Sequence, residues 1–445
     1  MGQNFLSCDR GQGALLPLSV DEWVPEGHLA RFVVEVVDGL DLAGFYGAYR
    51  ADGSGRPAHD PAMMVALLLY SYAIGVRSSR QVERRCVEDV AFRYLTANRV
   101  PDHVTINRFR VRHQDALSAL FGEVLGLCAG AGMVRVGTVA IDATKMAADA
   151  SLGANRTYEG LQALAREIFE EAAEIDAAED ELYGEKRGDE LPDDLADPKT
   201  RPARIRQLLD ELQAQRDQFQ QEHDAKLAAR ERQRAQGRAP RGRPPGSRPP
   251  QAQADALFAR KRNLTDPDSA IVSYRGMLMQ GYTVHAAVAD GQVILAAHAS
   301  SQANEHGQLT TMLTAARENA AAAGIGDQIE RVLADSGYWH VGQVTALQDE
   351  RLDVLVCPRP YKPDSKLKST EPVAIAMADR LADPEHAARY RQRAQIAEPV
   401  FAHIKYLRSI TRLLRRGRSA VQAEVDLIAT THNLLKLYRY SPKAA

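Results

Sequence analysis

The stretch VAIDATKMAADAS, residues 139–151, decides the fold class of this 445-residue chain. An apolar run of strand type leads to one carboxylate, Asp142, and then gives way to Thr144, Lys145 and a row of alanines. Two explanations of this acid are open, because it either caps the end of a strand or forms one part of a metal site. A metal site requires further acidic partners elsewhere in the chain.

Further strand-like runs follow Asp142 and indicate a sheet. They read YTVHAAVA (282–289), QVILAAHA (292–299), IERVLAD (329–335) and LDVLVCP (352–358). Helical stretches separate several of these runs, and such alternation is typical of an α/β domain. The sequence therefore predicts an α/β domain over residues 134–440.

The N-terminal part has a helical pattern instead, with apolar residues three and four positions apart. Two helical segments, 78–95 and 104–113, flank a short connector with a proline, which favours a helix-turn-helix. In the second segment Ile106 and Phe109 can face a core, while the arginines around them form a cationic edge. We expect an all-α DNA-binding domain over residues 1–133, although a solvated helix face would give the same pattern.

Residues 155–262 have no strand signal and are predicted to be a helical insertion. The apolar positions of a short heptad seam are Ile205, Leu208, Leu212 and Phe219. A tract rich in proline, glycine and arginine at 237–250 cannot build a packed core. This tract either binds a phosphate backbone or is a solvated linker, and the sequence favours neither.

The net charge of −2 argues against a simple basic coat for nucleic acid, but the charge is segregated along the chain. Acids dominate residues 167–197, whereas 230–248 and 405–418 are strongly basic. The four cysteines form no C-x-x-C pair, which argues against a zinc site and a disulfide framework. Without a signal peptide or an apolar run of about 18 residues, we expect a cytoplasmic protein with no membrane partner.

Two partners for Asp142 emerge. Asp335 ends the strand-like run 329–335, and open α/β sheets place functional groups at the carboxyl ends of strands. Glu398 shares one helix face with Lys405, and Pro399 predicts a helix start or a kink at that point. Glu398 and Lys405 are otherwise explained as a surface ion pair that contributes little.

Three carboxylates in these settings suit a site for two divalent cations that act on a phosphodiester. Oxygen ligands favour Mg²⁺, with Mn²⁺ as the expected substitute, whereas histidine would favour softer metals. We therefore expect the three carboxylates to converge, with Arg393 or Lys405 holding a DNA phosphate beside the metals.

These residues resemble the DDE constellation of bacterial insertion-sequence transposases, in the branch with a Tyr, Arg, Glu and Lys signature around the final acid. The signature residues here are Tyr390, Arg393, Glu398 and Lys405, with four residues between Arg393 and Glu398 where the usual pattern has three. Residues 55–83 and 101–113 resemble the N-terminal helical domain of these proteins, and 180–192 resemble the insertion of one subgroup. Ala143 and Asp149 depart from the glycine and asparagine of that subgroup.

The resemblance implies a ribonuclease-H-like catalytic core in which Asp142, Asp335 and Glu398 are the catalytic residues and metal ligands. It implies an enzyme that binds element ends, cleaves double-stranded DNA and transfers the cut strand, as a homodimer or higher assembly. A nuclease without strand transfer and an inactive DNA-binding protein are the alternatives. The side chains expected to contact DNA are Arg108, Arg110, Arg112, Lys145, Arg393, Lys405, Arg408 and Arg412, followed by Arg415 and Arg416.

Overall fold

The computed structural model describes residues 19–49, 57–157, 159–163, 261–358, 367 and 369–440, with single positions and pairs between 210 and 232. Two compact units emerge from its contacts. One contains Asp149–Ile271 with Gly276–Gln280, and the other contains the remainder of the chain. The N-terminal helices and most of the main sheet belong to this second unit.

Several of the N-terminal helices begin at residues whose side chains satisfy free backbone N–H groups. The helices are α1 (Leu29–Asp38), α2 (Ala43–Tyr46), α3 (Pro61–Ala73), α4 (Ser79–Glu88), α5 (Val90–Leu95), α6 (His103–Arg112) and α7 (Gln114–Gly130). Asp60, Asp89 and Asp102 cap α3, α5 and α6 through their side-chain oxygens. The predicted segment 78–95 is therefore two helices, because the Asp89 cap starts a new one. As predicted, Ile106 and Phe109 are buried.

The main sheet is mixed, as expected for an α/β fold. Its strands are β1 (Thr138–Ala147), β4 (Ala270–Tyr274), β5 (Met277–Ala289), β6 (Ile294–Ser300), β7 (Arg331–Ala334) and β8 (Asp353–Val356), in the order β4-β5-β1-β7-β8, with β6 also on β5. Strand β1 is antiparallel to β5 and parallel to β7, which is parallel to β8. All five strand-like runs of the sequence are confirmed as strands, and β4 was not predicted.

The insertion is not free of strands, contrary to the prediction. At its two ends β2 (Asn155–Arg156) pairs with β3 (Arg262–Asn263) in a short antiparallel ladder. Two-residue strands carry too few alternating positions to give a sequence pattern. Every described residue between 210 and 232 is helical. The heptad seam, the acidic stretch 167–197 and the tract 237–250 lie outside the described residues.

Helices pack on the main sheet and share its core. They are α8 (Leu309–Ala322), α9 (Val341–Asp349), α10 (Pro372–Ala382), α11 (Pro384–Ala402) and α12 (Arg418–Tyr440). Helix α11 contacts β1, β7 and β8, while α12 contacts β6, α7 and α3. Residues 139–141 of β1 are fully buried beneath these helices. No helix among the described residues is long and apolar enough to span a membrane.

Candidate active site

Two of the predicted acids lie side by side on neighbouring parallel strands. The ladder between β1 and β7 ends at the pair Ile141 and Ala334, so Asp142 and Asp335 occupy the next position of each strand. Residues at equal offsets in a parallel pair point to the same face, on strands about 4.8 Å apart. Asp335 follows the last residue of β7, as predicted.

Asp142 does not cap a strand, because β1 continues past it to Ala147 against β5. Its Oδ1 accepts a hydrogen bond from the N–H of Ala143 at 2.8 Å, and Asp335 Oδ1 accepts one from Ser336 N–H at 2.7 Å. Each carboxylate therefore keeps its second oxygen for other groups. The strand-end explanation for Asp142 is wrong.

Glu398 is exposed and lies in the last turn of α11, the helix that contacts β1 and β7. The prediction of a helix start at this residue is wrong, because α11 begins at Pro384. Pro399 has no N–H to donate to the carbonyl of Gln395, four residues earlier. The side chain of Gln292 donates to that carbonyl instead, at 3.1 Å, so the proline is accommodated within the helix.

Arg393 of α11 reaches across to the strand acids. Its Nη1 lies 2.9 Å from Asp142 Oδ2, and both side chains are only 16% exposed. Burial raises the pKa of Asp142 to about 6, against the opposing effects of Arg393 and the Ala143 amide, while Asp335 and Glu398 raise it further. Burial lowers the pKa of Arg393, but Asp142 and Asp335 more than offset this, so its pKa is raised. The three acids and Arg393 thus form one electrostatic group.

Tyr390 lies one turn before Arg393 on α11 and is buried. Burial raises the pKa of its hydroxyl, Arg393 opposes this change, and Asp335 adds to it. Tyr390 therefore belongs to the same group of interacting side chains, with its hydroxyl protonated at neutral pH.

A histidine and tyrosine pair that the sequence analysis missed lies behind the acids. His285 on β5 is paired with Ala143, and its Nδ1 lies 2.7 Å from Tyr338 Oη. Burial lowers the pKa of His285 to about 3, and burial with Asp142 nearby raises the pKa of Tyr338 well above its usual value. Both side chains are fully buried and uncharged. The available signal was His285 itself, a titratable residue within a largely apolar strand.

Glu305 is a fourth acid beside this group, and it was also missed. It forms an ion pair with Lys145 at 2.6 Å, and Lys145 also donates to Thr283 Oγ1 at 3.0 Å. A Cβ at position 337 would lie 2.5 Å from Glu305 Oε2, so Gly337 leaves room for this carboxylate. Because Glu305 comes from a loop with no pattern, its position was not available from the sequence. Lys145, expected to contact DNA, is thus paired within the protein.

Two of the arginines expected to contact phosphates are buried instead. Arg110 donates to the carbonyl of Arg77 at 2.8 Å. Arg408 donates to the carbonyls of Tyr72 at 2.8 Å and Ile428 at 3.1 Å. Since these guanidinium groups already satisfy backbone acceptors inside the protein, the prediction that they contact DNA is corrected.

Lys405 is buried and lies in a π-helical turn, His403–Leu407, that follows α11. Its Nζ donates to the carbonyl of Lys145 at 2.7 Å and lies 4.2 Å from the centre of the Tyr274 ring. Burial lowers its pKa to about 8, and Arg275 lowers it further. The wider π turn changes the helical spacing, and the Lys405 ammonium group is bound to the backbone of β1. The prediction that Lys405 contacts DNA is therefore corrected.

The remaining predicted contacts lie at the surface. Arg108, Arg112, Arg412 and Arg416 are exposed, and Arg415 is half-buried. Arg112 rests on the Tyr49 ring, 4.5 Å from its centre, and donates to the Ala48 carbonyl. Arg415 Nη1 donates to the carbonyl of Arg110 at 3.5 Å. The structure therefore separates the basic residues into an internal set and a surface set.

Among the described residues, no three acidic, histidine or cysteine side chains converge closely enough to hold a metal ion. In this arrangement Arg393 supplies the positive charge beside Asp142. Asp142 and Asp335 occupy the positions that follow the paired residues Ile141 and Ala334, and the convergence of all three carboxylates stays a prediction.

Comparisons with known families agree with this architecture. Residues 271–434, which carry Asp335, Glu398 and Arg393, match the family described as a transposase DDE domain. The C-terminal part of the chain is thus a transposase DDE domain. Residues 18–112 match the family described as a transposase domain (DUF772), and with both domains the chain belongs to the insertion-sequence DDE transposases. Asp142 lies between the two matches. No curated protein and no solved structure matches the chain.

Proposed function

We propose that this transposase binds the ends of its insertion sequence, cleaves the DNA there and joins the cut strand to a target. Its catalytic domain is then a ribonuclease-H-like core with Asp142, Asp335 and Glu398 as catalytic residues. The observation that carries the proposal is the register that precedes Asp142 and Asp335, together with the contacts that α11, the helix carrying Glu398 and Arg393, makes with β1 and β7.

The side chains at this point fit divalent cations chemically. All three donors are carboxylates, the ligand type that Mg²⁺ and Mn²⁺ prefer. Burial and the charges of Asp335 and Glu398 raise the pKa of Asp142, so a cation would relieve an unfavourable charge. When bound, two such ions activate water and stabilise the charge that develops on the phosphate.

Arg393 would exchange partners during the reaction. Arg393 forms an ion pair with Asp142 at 2.9 Å, and if Asp142 held a cation the guanidinium would be free to contact a DNA phosphate. Cleavage forms a bond between a water oxygen and phosphorus and breaks the bond to the 3′ oxygen. The freed 3′-hydroxyl then attacks a target phosphate, which releases a target 3′-hydroxyl.

DNA binding outside the acids would come from surface arginines. Arg108 and Arg112 on α6 are exposed on the N-terminal helical domain, and Arg412 and Arg416 are exposed after α11. Contacts from both sets would hold one DNA end on two sides of the active site. Pairing of two ends further requires a homodimer or a larger assembly.

The experiment incubates the protein with a duplex that carries the element end and a supercoiled target, in Mg²⁺. Nicks at the end with a free 3′-hydroxyl, followed by joined products, support transposition. Nicks without joined products from paired ends indicate the nuclease alternative. Binding without any nick, in Mg²⁺ and Mn²⁺ alike, indicates a protein that only binds DNA.

A further inference from the structure

A cationic cleft lies at the other end of β1. It has a volume of about 490 Å³ and is lined by residues that precede β1, residues of the β5–β6 turn and the end of α12. The lining residues are Gly132, Met133, Arg135, Asp290, Gly291, Lys436, Arg439 and Tyr440. We refer to this set as the β1 entry cleft.

The charges of the β1 entry cleft are unbalanced. Three cations, Arg135, Lys436 and Arg439, face one acid, Asp290. Among the described residues no ion pair involves any of these three cations, whereas Lys145 and Arg393 near the acids are both paired. Burial and the charge of Arg439 lower the pKa of Lys436, so the cations repel each other. An anion in the cleft would remove this repulsion.

The cleft is connected to the helix that carries Glu398. Lys436 Nζ lies 3.4 Å from Gln292 Oε1, and Gln292 Nε2 donates to the Gln395 carbonyl of α11. Gln395 is less than one helical turn from Glu398, a rise of about 4.5 Å. Arg135 lies three residues before β1 and seven residues before Asp142, so the Cα atoms of Arg135 and Asp142 are at most about 25 Å apart. The cleft is therefore separate from the acids but within reach of the same DNA duplex.

We propose that the β1 entry cleft binds the phosphates of duplex DNA that extends from the cleavage point, a contact that rests on the proposed function. A duplex is favoured over a small anion, because the cations spread from half-buried Lys436 to exposed Arg135 and Arg439 at the rim. Exposed Tyr440 adds a flat surface beside them. At about 3.4 Å per base pair, about 25 Å corresponds to contacts up to about 7 base pairs from the cut.

The test replaces the two exposed cations together, as Arg135→Gln with Arg439→Gln. The matched control is Arg317→Gln with Arg351→Gln, which removes the same charge from exposed positions elsewhere on the same unit. Affinity is measured across salt for element-end duplexes that extend about 4 or about 12 base pairs beyond the cut. For the longer duplex the cleft variant should reduce the slope of log affinity against log salt by about two units. The shorter duplex and the control variant should show almost no change.

Asp290→Asn provides the opposite change, since it removes the acid from the cleft. This variant should bind the longer duplex more tightly than wild type and the shorter duplex equally. Unchanged slopes in the cleft variant, or equal losses on both duplexes, would overturn the proposal. The proposal would also be overturned if the cleft variant changed only the binding of pyrophosphate, or only the self-association measured by sedimentation. Because none of these readouts requires cleavage, failure of the proposed reaction would not be confused with failure of the cleft.

Discussion

The two ends of β1 differ in whether the charged side chains near them are paired. Around Asp142 the charged groups neutralise one another, through the ion pairs of Asp142 with Arg393 and of Glu305 with Lys145. In the β1 entry cleft the cations have no ion-pair partner among the described residues. On the proposed function, the acidic end must therefore exchange ion-pair partners before it acts, whereas the cationic end can receive an anion without breaking an ion pair.

The largest effect is expected from Asp142→Asn. The amide preserves the shape but removes the charge that would hold a cation, a loss of several kcal/mol in the transition state. Cleavage of an element end should fall by about 1,000-fold or more, while the affinity for that end stays within about two-fold. Gel-based cleavage and fluorescence anisotropy measure the two quantities. An equal loss of binding would mean that Asp142 is structural.

The second-largest effect is expected on the free energy of unfolding, where a buried and an exposed arginine should differ. Arg408→Ala would leave the carbonyls of Tyr72 and Ile428 without their donor and should lower the free energy of unfolding by about 3–5 kcal/mol. The close approach of Gly75 to the Arg408 carbonyl shows how tightly this segment is packed. Arg412→Ala, its exposed control, should change stability by less than about 0.5 kcal/mol. Similar values for both in urea denaturation would refute the internal role of Arg408.

The contrast between these arginines shows how far the sequence was informative. Five of the strands, the acids Asp142 and Asp335 and the α/β class follow from apolar runs and the residues that end or follow them, which are local features. Arg110, Lys405 and Arg408 could not be placed correctly, because a basic sequence does not reveal which backbone carbonyls lie nearby after folding. Glu305 depends on a loop, and the ion pair of Arg393 with Asp142 joins residues 251 positions apart.

The buried and uncharged pair of His285 and Tyr338 predicts that the stability of the protein depends on pH. The pKa of His285 is about 3 in the folded protein, below the 6.5 of an unperturbed histidine. As the pH falls below about 6.5, the unfolded chain takes up this proton first, so the stability present above pH 6.5 is lost. Between pH 7 and pH 5 this histidine should account for about 2 kcal/mol. His285→Asn should flatten that part of the curve of unfolding free energy against pH, and an identical curve would contradict the assignment.

The smallest effect is expected for the surface arginines of α6. Arg108→Gln with Arg112→Gln should reduce the slope of log affinity against log salt by about two units if both contact phosphates. This corresponds to about 1.6 kcal/mol between 50 and 200 mM salt. Filter binding with element-end duplexes gives the slope. A wild-type slope in the variant would show that these arginines are only a solvated helix face.

Cation binding by Asp142, Asp335 and Glu398 is the central claim, and it can be measured without cleavage. Mn²⁺ is titrated into the protein bound to an element end, and the free ion is followed by electron paramagnetic resonance. Wild type should bind two ions per active site, and Asp335→Asn and Glu398→Gln should each weaken or abolish at least one of them. Unchanged binding in both variants would contradict the account, because the ions would then lie elsewhere.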